Sequence, residues 1–257
     1  MPDSTSPVFL VDELPAGERT TLTGEEARHA ATVRRTRAGE RLALSDGVGG
    51  IAYCVVEAVR AGREAELELR VERRAVRAAP ALRVTVAQAL IKGDRGELAV
   101  ELATEAGVDA LLPWRAARCV ARWDEGARGA KALARWRGTA RSAAKQSRRA
   151  RVPEVGEPVD TRALAASVRR MTCALVLDAG APHSLADLRL PESGDLLVIV
   201  GPEGGIAPEE TELLVDAGAE RARLGPSVLR ASTAAAVTLG ALGARTTRWE
   251  YTEGTLE

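Results

Sequence analysis

The chain has 257 residues, of which 46% are hydrophobic and 28% are charged. This length and composition fit a globular protein with one large domain or two smaller ones, and they exclude a disordered or fibrous chain. The 36 basic residues balance the 36 acidic residues and aromatic residues make up only 3%, so neither net charge nor aromatic stacking favours a particular partner.

The first part of the chain has the pattern of a small β domain. Two apolar runs flank the glycine-rich residues 46–50, which predicts a hairpin. Apolar and charged residues alternate over residues 64–73, as they do in a half-buried antiparallel strand. Thr23 and Glu26 have the spacing of a capping box, which predicts one short helix in this domain.

From about residue 79 the pattern changes to apolar runs that alternate with helical segments, which is typical of a parallel α/β sheet. We therefore predict two domains, residues 1–78 and 79–257. Asp94 and Glu97 predict the start of a helix that Gly107 ends. The predicted strands of the second domain are residues 84–90, 108–112, 174–177, 196–200 and 222–224.

Basic residues are concentrated between Pro113 and Pro153. This stretch contains twelve lysines and arginines against two acids, Asp124 and Glu125. Such a block indicates a surface for a polyanion such as RNA. The alternative is a solvated helical face in an arginine-rich chain.

Two glycine-rich loops follow predicted strands in the last quarter of the chain. Residues 201–205, Gly-Pro-Glu-Gly-Gly, come directly after one strand, and Pro208 then suits the first turn of a helix. Residues 224–230 come at the end of the next strand and precede a helix of small residues. Because open α/β sheets bind ligands at the carboxyl ends of their strands, the loops predict one ligand between them. The two loops lack the glycine spacing of the dinucleotide-binding and Walker motifs. The negative charge of Glu203 also disfavours a phosphate as the ligand.

The cysteines and the N-terminus argue against several other classes of protein. Cys54, Cys119 and Cys173 lie far apart and the chain has two histidines, so we expect reduced structural thiols and no metal site. No apolar run approaches the roughly 20 residues that span a bilayer, and the first residues lack the pattern of a secretion signal. We therefore expect a soluble cytoplasmic protein without a membrane partner.

The two loops and several other segments, taken in order, resemble the ribosomal RNA small subunit methyltransferase E family of the SPOUT superfamily of knotted methyltransferases. Each segment alone is weakly specific, but the set is highly specific and spans the chain. The segments are HAATVRR from His29, ALIKGDR from Ala89, ELATEAGVD from Glu101, RCV from Arg118, SAAKQSRRARVPEV from Ser142, GPEGG from Gly201 and LGPSVLRASTAA from Leu224.

The resemblance implies an α/β protein with an N-terminal PUA-like β-barrel that helps to hold RNA and a C-terminal SPOUT domain with a deep trefoil knot. It also implies a homodimer, S-adenosylmethionine in the knot, and methylation of N3 of a uridine in small-subunit (16S) ribosomal RNA. Since Watson–Crick pairing buries N3, the target must be unpaired or splayed out. We therefore expect the substrate to be structured RNA in an assembled 30S subunit.

The family positions, with the chemistry of the side chains, assign candidate site residues. Glu203 and Arg230 are the candidate catalytic residues, because N3 must lose its proton while negative charge develops on the uracil. The alternatives are that Glu203 caps the helix at Pro208 or satisfies loop amides and that Arg230 binds a phosphate. The candidate cofactor-binding residues are Gly201, Pro202, Glu203, Gly204, Gly205, Leu224, Gly225 and Leu229. The candidate RNA-binding residues are Arg34, Arg35, Lys92, Arg95, Arg118, Gln146 and Arg149, with surface salt bridges as the alternative for each arginine.

Three positions depart from the family pattern. Leu102 and Ala106 stand where the family has Lys and Leu, and Ser232 stands where it has Glu. Two alternatives therefore stay open. One is a SPOUT enzyme that methylates a ribose 2′-oxygen or another base, and the other is a non-catalytic RNA-binding relative. A dinucleotide oxidoreductase is disfavoured by the missing GxGxxG fingerprint.

Overall fold

A computed structural model describes residues 6–123, 126–250 and 253–255 of the chain, so that Asp124 and Glu125 of the basic stretch lie outside the described residues. The described residues form two compact units. One unit contains residues 6–79, 144–152 and 253–255, and the other contains the described residues of 80–143 and 153–250.

The strands are β1 (Val8–Leu10), β2 (Arg19–Leu22), β3 (Arg41–Ser45), β4 (Gly50–Arg60), β5 (Glu66–Arg77), β6 (Leu82–Ala89), β7 (Ala110–Trp114), β8 (Glu154–Val155), β9 (Cys173–Leu177), β10 (Gly194–Val200), β11 (Glu220–Ala222) and β12 (Glu253–Thr255). The α-helices are α1 (Gly24–Arg28), α2 (Arg95–Glu105), α3 (Ala127–Gln146), α4 (Thr161–Val168), α5 (Pro208–Asp216) and α6 (Ala231–Arg245). A π-helical segment (His29–Val33) follows α1, and short 3-10 helices occur at Leu185–Asp187 and Thr247–Trp249.

The first unit is built on a mostly antiparallel sheet in the order β1-β3-β4-β5-β12, with β2 also paired to β5. The predicted hairpin is confirmed: β3 and β4 are antiparallel, and the Asp46 carboxylate accepts hydrogen bonds in the turn from the N–H groups of Val48 and Gly50 at 2.8 and 2.9 Å. The predicted alternation is confirmed in β5, where Leu67 is buried and Glu68 is exposed. One face of the sheet therefore packs on the core of this unit.

The capping box predicted at Thr23 and Glu26 is wrong, although the helix begins at Gly24. Within the described residues, the Thr23 side chain makes no capping hydrogen bond. The Glu26 carboxylate instead accepts hydrogen bonds from Nζ of Lys145 at 2.6 and 2.7 Å. The Glu26 carboxylate therefore binds Lys145, which is distant in the sequence, and does not accept the local hydrogen bond of a capping box.

The second unit is a parallel α/β structure with the strand order β11-β9-β10-β6-β7-β8. Its central strands are mostly apolar and mostly buried on both sides, as expected for strands of a parallel sheet covered by two layers of helices. On one side, residues such as Val84 and Val198 pack with α2, α3 and α6. On the other side, residues such as Ala87 and Ile199 pack with α4 and α5. The α/β fold predicted for this part of the chain is confirmed.

Two strands of this sheet are shifted by two residues at both ends from their predicted bounds. The strand predicted at 222–224 is β11 (Glu220–Ala222), because it pairs with β9 and ends beside Leu177. The strand predicted at 108–112 is β7 (Ala110–Trp114). Gly107 ends α2 as predicted, with a positive φ of 98° that favours glycine. Asp94 precedes the helix as expected, but its side chain makes no capping hydrogen bond within the described part of the chain.

A buried ion pair anchors the chain just after α6. Nη1 of Arg248 lies 2.8 Å from Oδ2 of Asp109, and both side chains are largely buried. The same carboxylate oxygen accepts a hydrogen bond from the N–H of Val84 at 2.7 Å. Since Val84 lies on β6, this pair joins the segment after α6 to the middle of the sheet.

Candidate active site

A cavity of about 550 Å³ opens in the second unit at the carboxyl ends of β6, β9, β10 and β11. Its volume falls in the range of sites for small molecules and cofactors. The loop after β10 contributes Gly201, Pro202, Glu203, Gly205 and Ile206 to its walls. The loop after β11 contributes Leu224, Gly225, Ser227, Val228, Leu229 and Arg230. Both loops predicted to bind one ligand therefore line one cavity.

The loop after β10 requires glycine at two positions. A Cβ atom on Gly201 would lie 2.6 Å from Cγ1 of Ile206, which is too close for two carbon atoms. Gly205 has a φ of 74°, a conformation that residues with a side chain rarely adopt. Pro208 then occupies the first turn of α5, as predicted. The loop thus exposes backbone groups to the cavity with little side-chain obstruction.

The helix after this loop is capped by Glu210, so the alternative role of Glu203 as that cap is wrong. The buried Glu210 carboxylate accepts hydrogen bonds from the N–H of Ala207 at 3.3 Å and from the N–H of Ala117 at 2.9 Å. It also accepts one from the hydroxyl of Thr161 at 2.5 Å. The Glu203 side chain is exposed and lines the cavity.

Arg230 and Arg95 line the same cavity. Arg230 directly precedes α6, and Arg95 is the first residue of α2. Both side chains are exposed. Two guanidinium groups that the sequence assigned to different roles, catalysis and RNA binding, therefore lie at one site, and both suit a negatively charged partner.

The remaining candidate residues divide between the two units. Gly204 and Arg118 lie in the second unit, and Nη1 of Arg118 donates a hydrogen bond to the carbonyl oxygen of Gly204 at 3.2 Å. Lys92 is an exposed residue of the loop after β6 in the same unit. The other four candidates belong to the first unit: Arg34, Arg35, Gln146 and Arg149.

Sequence reasoning missed the side chains at the end of β9. Leu177, Asp178 and Ala179 line the cavity, because β9 lies between β10 and β11 in the sheet. A polar residue directly after the predicted strand 174–177 was the available signal. Ser232, one of the departures from the family pattern, is buried at the start of α6 and also lines the cavity.

The three thiols lie in environments that keep them protonated. Burial raises the pKa of Cys54 to about 12, against a smaller opposing effect of Arg74. Burial also raises the pKa values of Cys119 and Cys173, and at Cys119 the charges of Glu210 and Glu203 add to this effect. Since the thiolate is the reactive form of cysteine, these environments fit structural thiols.

Groups of three or more His, Cys, Asp or Glu side chains placed to hold a metal ion do not occur in the described ranges. Within the same ranges, each helix is too short or too polar to cross a membrane.

Two family models match the chain. A model described as an RNA methyltransferase domain matches residues 78–243, and a model described as an RNA methyltransferase PUA domain matches residues 22–69. The chain is 53% identical over 250 residues to ribosomal RNA small subunit methyltransferase E of Mycobacterium tuberculosis, covering 95% of this chain and 93% of that protein. It is 30% identical over 237 residues to the protein of the same name from Bacillus subtilis, covering 88% and 90%.

Solved structures with the same fold have been determined with a bound cofactor. A ribosomal RNA small subunit methyltransferase E from Neisseria gonorrhoeae, bound to S-adenosyl methionine, matches with a TM-score of 0.81 and 28% identity, covering 94% of this chain and 98% of that one. A methyltransferase from Legionella pneumophila in complex with the cofactor SAM matches with a TM-score of 0.81, 27% identity and the same coverage. The predicted fold class, a PUA-like domain followed by a SPOUT α/β domain, is confirmed.

Proposed function

Because the chain belongs to the ribosomal RNA small subunit methyltransferase E family, we propose that it transfers the methyl group of S-adenosylmethionine to N3 of a uridine in small-subunit (16S) ribosomal RNA. The observation that carries this proposal is the cavity at the carboxyl ends of β6, β9, β10 and β11, which combines a glycine loop with Glu203 and Arg230. The PUA domain in the same chain supports RNA as the substrate.

The residues of the cavity fit the adenosine part of the cofactor. Leu224 and Leu229 offer apolar walls, and the open backbone of residues 201–205 offers N–H and carbonyl groups to a flat polar ring. When bound, S-adenosylmethionine supplies an electrophilic methyl group on its sulfonium. The loops hold the reacting groups in line, and such positioning supplies much of the rate of a methyl transfer.

Glu203 and Arg230 have different roles at the uracil. Uracil N3 carries an imide proton that must leave before or during attack on the methyl group. The exposed carboxylate of Glu203 accepts this proton, as a general base does. The guanidinium of Arg230 stabilises the negative charge that develops on the uracil oxygens. Arg95, at the same cavity, binds a phosphate of the target strand.

Basic and polar side chains of both units bind the rest of the RNA in this proposal. Their donor groups suit phosphates, while the target uridine is splayed into the cavity. The residues concerned are Arg34, Arg35, Lys92, Arg118, Gln146 and Arg149. We infer further that the protein acts as a homodimer on assembled 30S subunits in the cytoplasm. Light scattering of the purified protein, which reports its mass in solution, tests the dimer.

The reaction is tested by methyl transfer from labelled S-adenosylmethionine to small subunits that lack the modification, followed by nucleoside mass spectrometry. We expect 3-methyluridine, and little product on protein-free 16S RNA. A 2′-O-methylated nucleoside or another methylated base would assign the protein to a different SPOUT specificity. Cofactor binding without methyl transfer to either substrate would favour a non-catalytic relative. Ser232→Glu, which restores the family residue, would then test whether this departure abolishes the activity.

A further inference from the structure

One charged side chain of the cavity has no part in the proposed reaction. Asp178 directly follows β9 and lines the cavity. Because β9 lies between β10 and β11 in the sheet, Asp178 lies between the two loops that form the cavity walls. A ligand held by both loops would therefore lie close to Asp178.

The Asp178 carboxylate is held in a fixed orientation. Nε and Nη2 of Arg221 lie 2.8 and 2.6 Å from its Oδ2 atom. Its Oδ1 atom accepts a hydrogen bond from the N–H of Gly180 at 2.8 Å. The backbone N–H of Asp178 donates to the carbonyl oxygen of Ala222 at 3.0 Å. A carboxylate has about four acceptor positions, so three donors leave about one for a ligand.

The same contacts keep the carboxylate ionised. Partial burial acts to raise the pKa of Asp178, but the Gly180 N–H and the Arg221 guanidinium outweigh it and hold the pKa below its ordinary value. Near neutral pH the side chain therefore only accepts hydrogen bonds. Its side chain is 30% exposed, and the residue lines the cavity.

The adenosine part of the cofactor carries few groups that can donate to such an acceptor. The ring nitrogens of adenine are acceptors, whereas the amino group of the base and the ribose hydroxyls are donors. In dinucleotide-binding folds a carboxylate of a parallel α/β sheet accepts a hydrogen bond from a ribose hydroxyl, so this kind of side chain can serve that purpose. The hydroxyls also lie next to the base that the two loops would grip.

We propose that Asp178 determines the specificity of the cavity for a ribonucleoside cofactor, by accepting a hydrogen bond from one ribose hydroxyl of S-adenosylmethionine. Arg221 is a positioning residue, because it acts only through the carboxylate. This inference rests on the proposed function, since it takes S-adenosylmethionine as the cofactor.

The test is calorimetric binding of S-adenosylhomocysteine and its 2′-deoxy and 3′-deoxy analogues, without RNA. The wild-type protein should bind one of the two analogues about tenfold or more weakly than the parent compound, as the loss of a hydrogen bond to a charged group predicts. Asp178→Ala, which removes the acceptor, should bind the parent compound weaker by a similar factor and should no longer distinguish it from that analogue. Asp216→Ala, which makes the same change at an exposed aspartate of α5 outside the cavity, should leave both properties unchanged.

Three results would overturn the inference. In the first, the wild-type protein binds both deoxy analogues as tightly as the parent compound, a result that needs no variant to fold. In the second, Asp178→Ala discriminates as the wild type does, which leaves Asp178 only its ion pair with Arg221. In the third, the variant binds S-adenosylmethionine more weakly but binds S-adenosylhomocysteine as tightly as the wild type does. The carboxylate would then interact with the positively charged sulfonium and not with the ribose. If the wild-type protein binds none of these compounds, the proposed function fails first.

Discussion

The carboxylate of Glu210 accepts a hydrogen bond from the N–H of Ala117 at 2.9 Å. This contact joins the first turn of α5 to the loop after β7, two segments far apart in the sequence. The same carboxylate caps α5 through Ala207 and binds the hydroxyl of Thr161, so one buried side chain positions the glycine loop that precedes the helix.

Glu210→Ala should lower the free energy of unfolding by about 2–3 kcal/mol, because it leaves buried donors without an acceptor. Chemical denaturation measures this change. The matched control is Glu209→Ala, which removes an exposed carboxylate from the same turn and should cost about 0.5 kcal/mol through its interaction with the helix dipole. Equal effects of the two substitutions would contradict the positioning role of Glu210.

Gly201→Ala should weaken cofactor binding at least tenfold, because the new Cβ atom would force Ile206 or the loop backbone to move. The double variant Gly201→Ala with Ile206→Ala removes the clash and should recover part of the affinity. Gly138→Ala on α3, where a Cβ meets no atom within 4 Å, should leave binding unchanged. Calorimetry with S-adenosylhomocysteine measures all three, and full affinity of Gly201→Ala alone would refute the need for glycine.

Arg230→Ala should reduce the rate of methyl transfer about a hundredfold with little effect on cofactor affinity, because the guanidinium acts on the uracil. Glu203→Gln should reduce the rate by a factor of about 100 or more, as the loss of a general base does. Single-turnover measurements at saturating cofactor and subunits report both rates. Arg189→Ala and Glu209→Gln, exposed residues outside the cavity, are the controls. A variant with the wild-type rate would remove that residue from the mechanism.

Arg34→Ala and Arg35→Ala should each reduce the salt dependence of RNA binding, lowering the slope of log K against log salt by roughly 0.7–0.9 for each phosphate that the protein no longer neutralises. Both arginines are exposed residues of the first unit. Arg19→Ala should not change the slope, because this exposed arginine already donates to Glu57 at 3.0 Å. Titration of RNA at several salt concentrations gives the slopes, and an unchanged slope would mean that the arginine does not bind phosphate.

Stability should fall as the pH rises above about 9, because burial raises the pKa of Cys54 from 9.0 to about 12. A thiol with a raised pKa in the folded state keeps its full contribution to stability below the unfolded pKa. It loses that contribution as the pH rises toward the folded pKa, with a slope of up to about 1.4 kcal/mol per pH unit. Denaturation from pH 7 to 11 in a Cys119→Ser, Cys173→Ser background measures this slope. Adding Cys54→Ala should remove most of this dependence of the free energy of unfolding on pH. If the dependence persists, groups other than Cys54 cause it.

Local pattern was sufficient to predict several elements. The hairpin at residues 46–50 and the alternation in β5 depend on residues that are close in the sequence, so periodicity and turn residues specify them. The buried strand β10 was predictable because residues 196–200 form a continuous apolar run. The edge strand β11 shifted by two residues, because only its pairing with β9 decides where it ends.

The sequence by itself determined the α/β class, the family and the two loops that line the cavity, because each depends on a contiguous motif or on a periodic pattern. Tertiary structure alone decided that Asp178 lies between those loops, that Glu210 accepts a hydrogen bond from the N–H of Ala117, and that Lys145 donates to Glu26 in the first unit. The reason is physical: strand order and long-range hydrogen bonds join residues whose separation along the chain leaves no local signal.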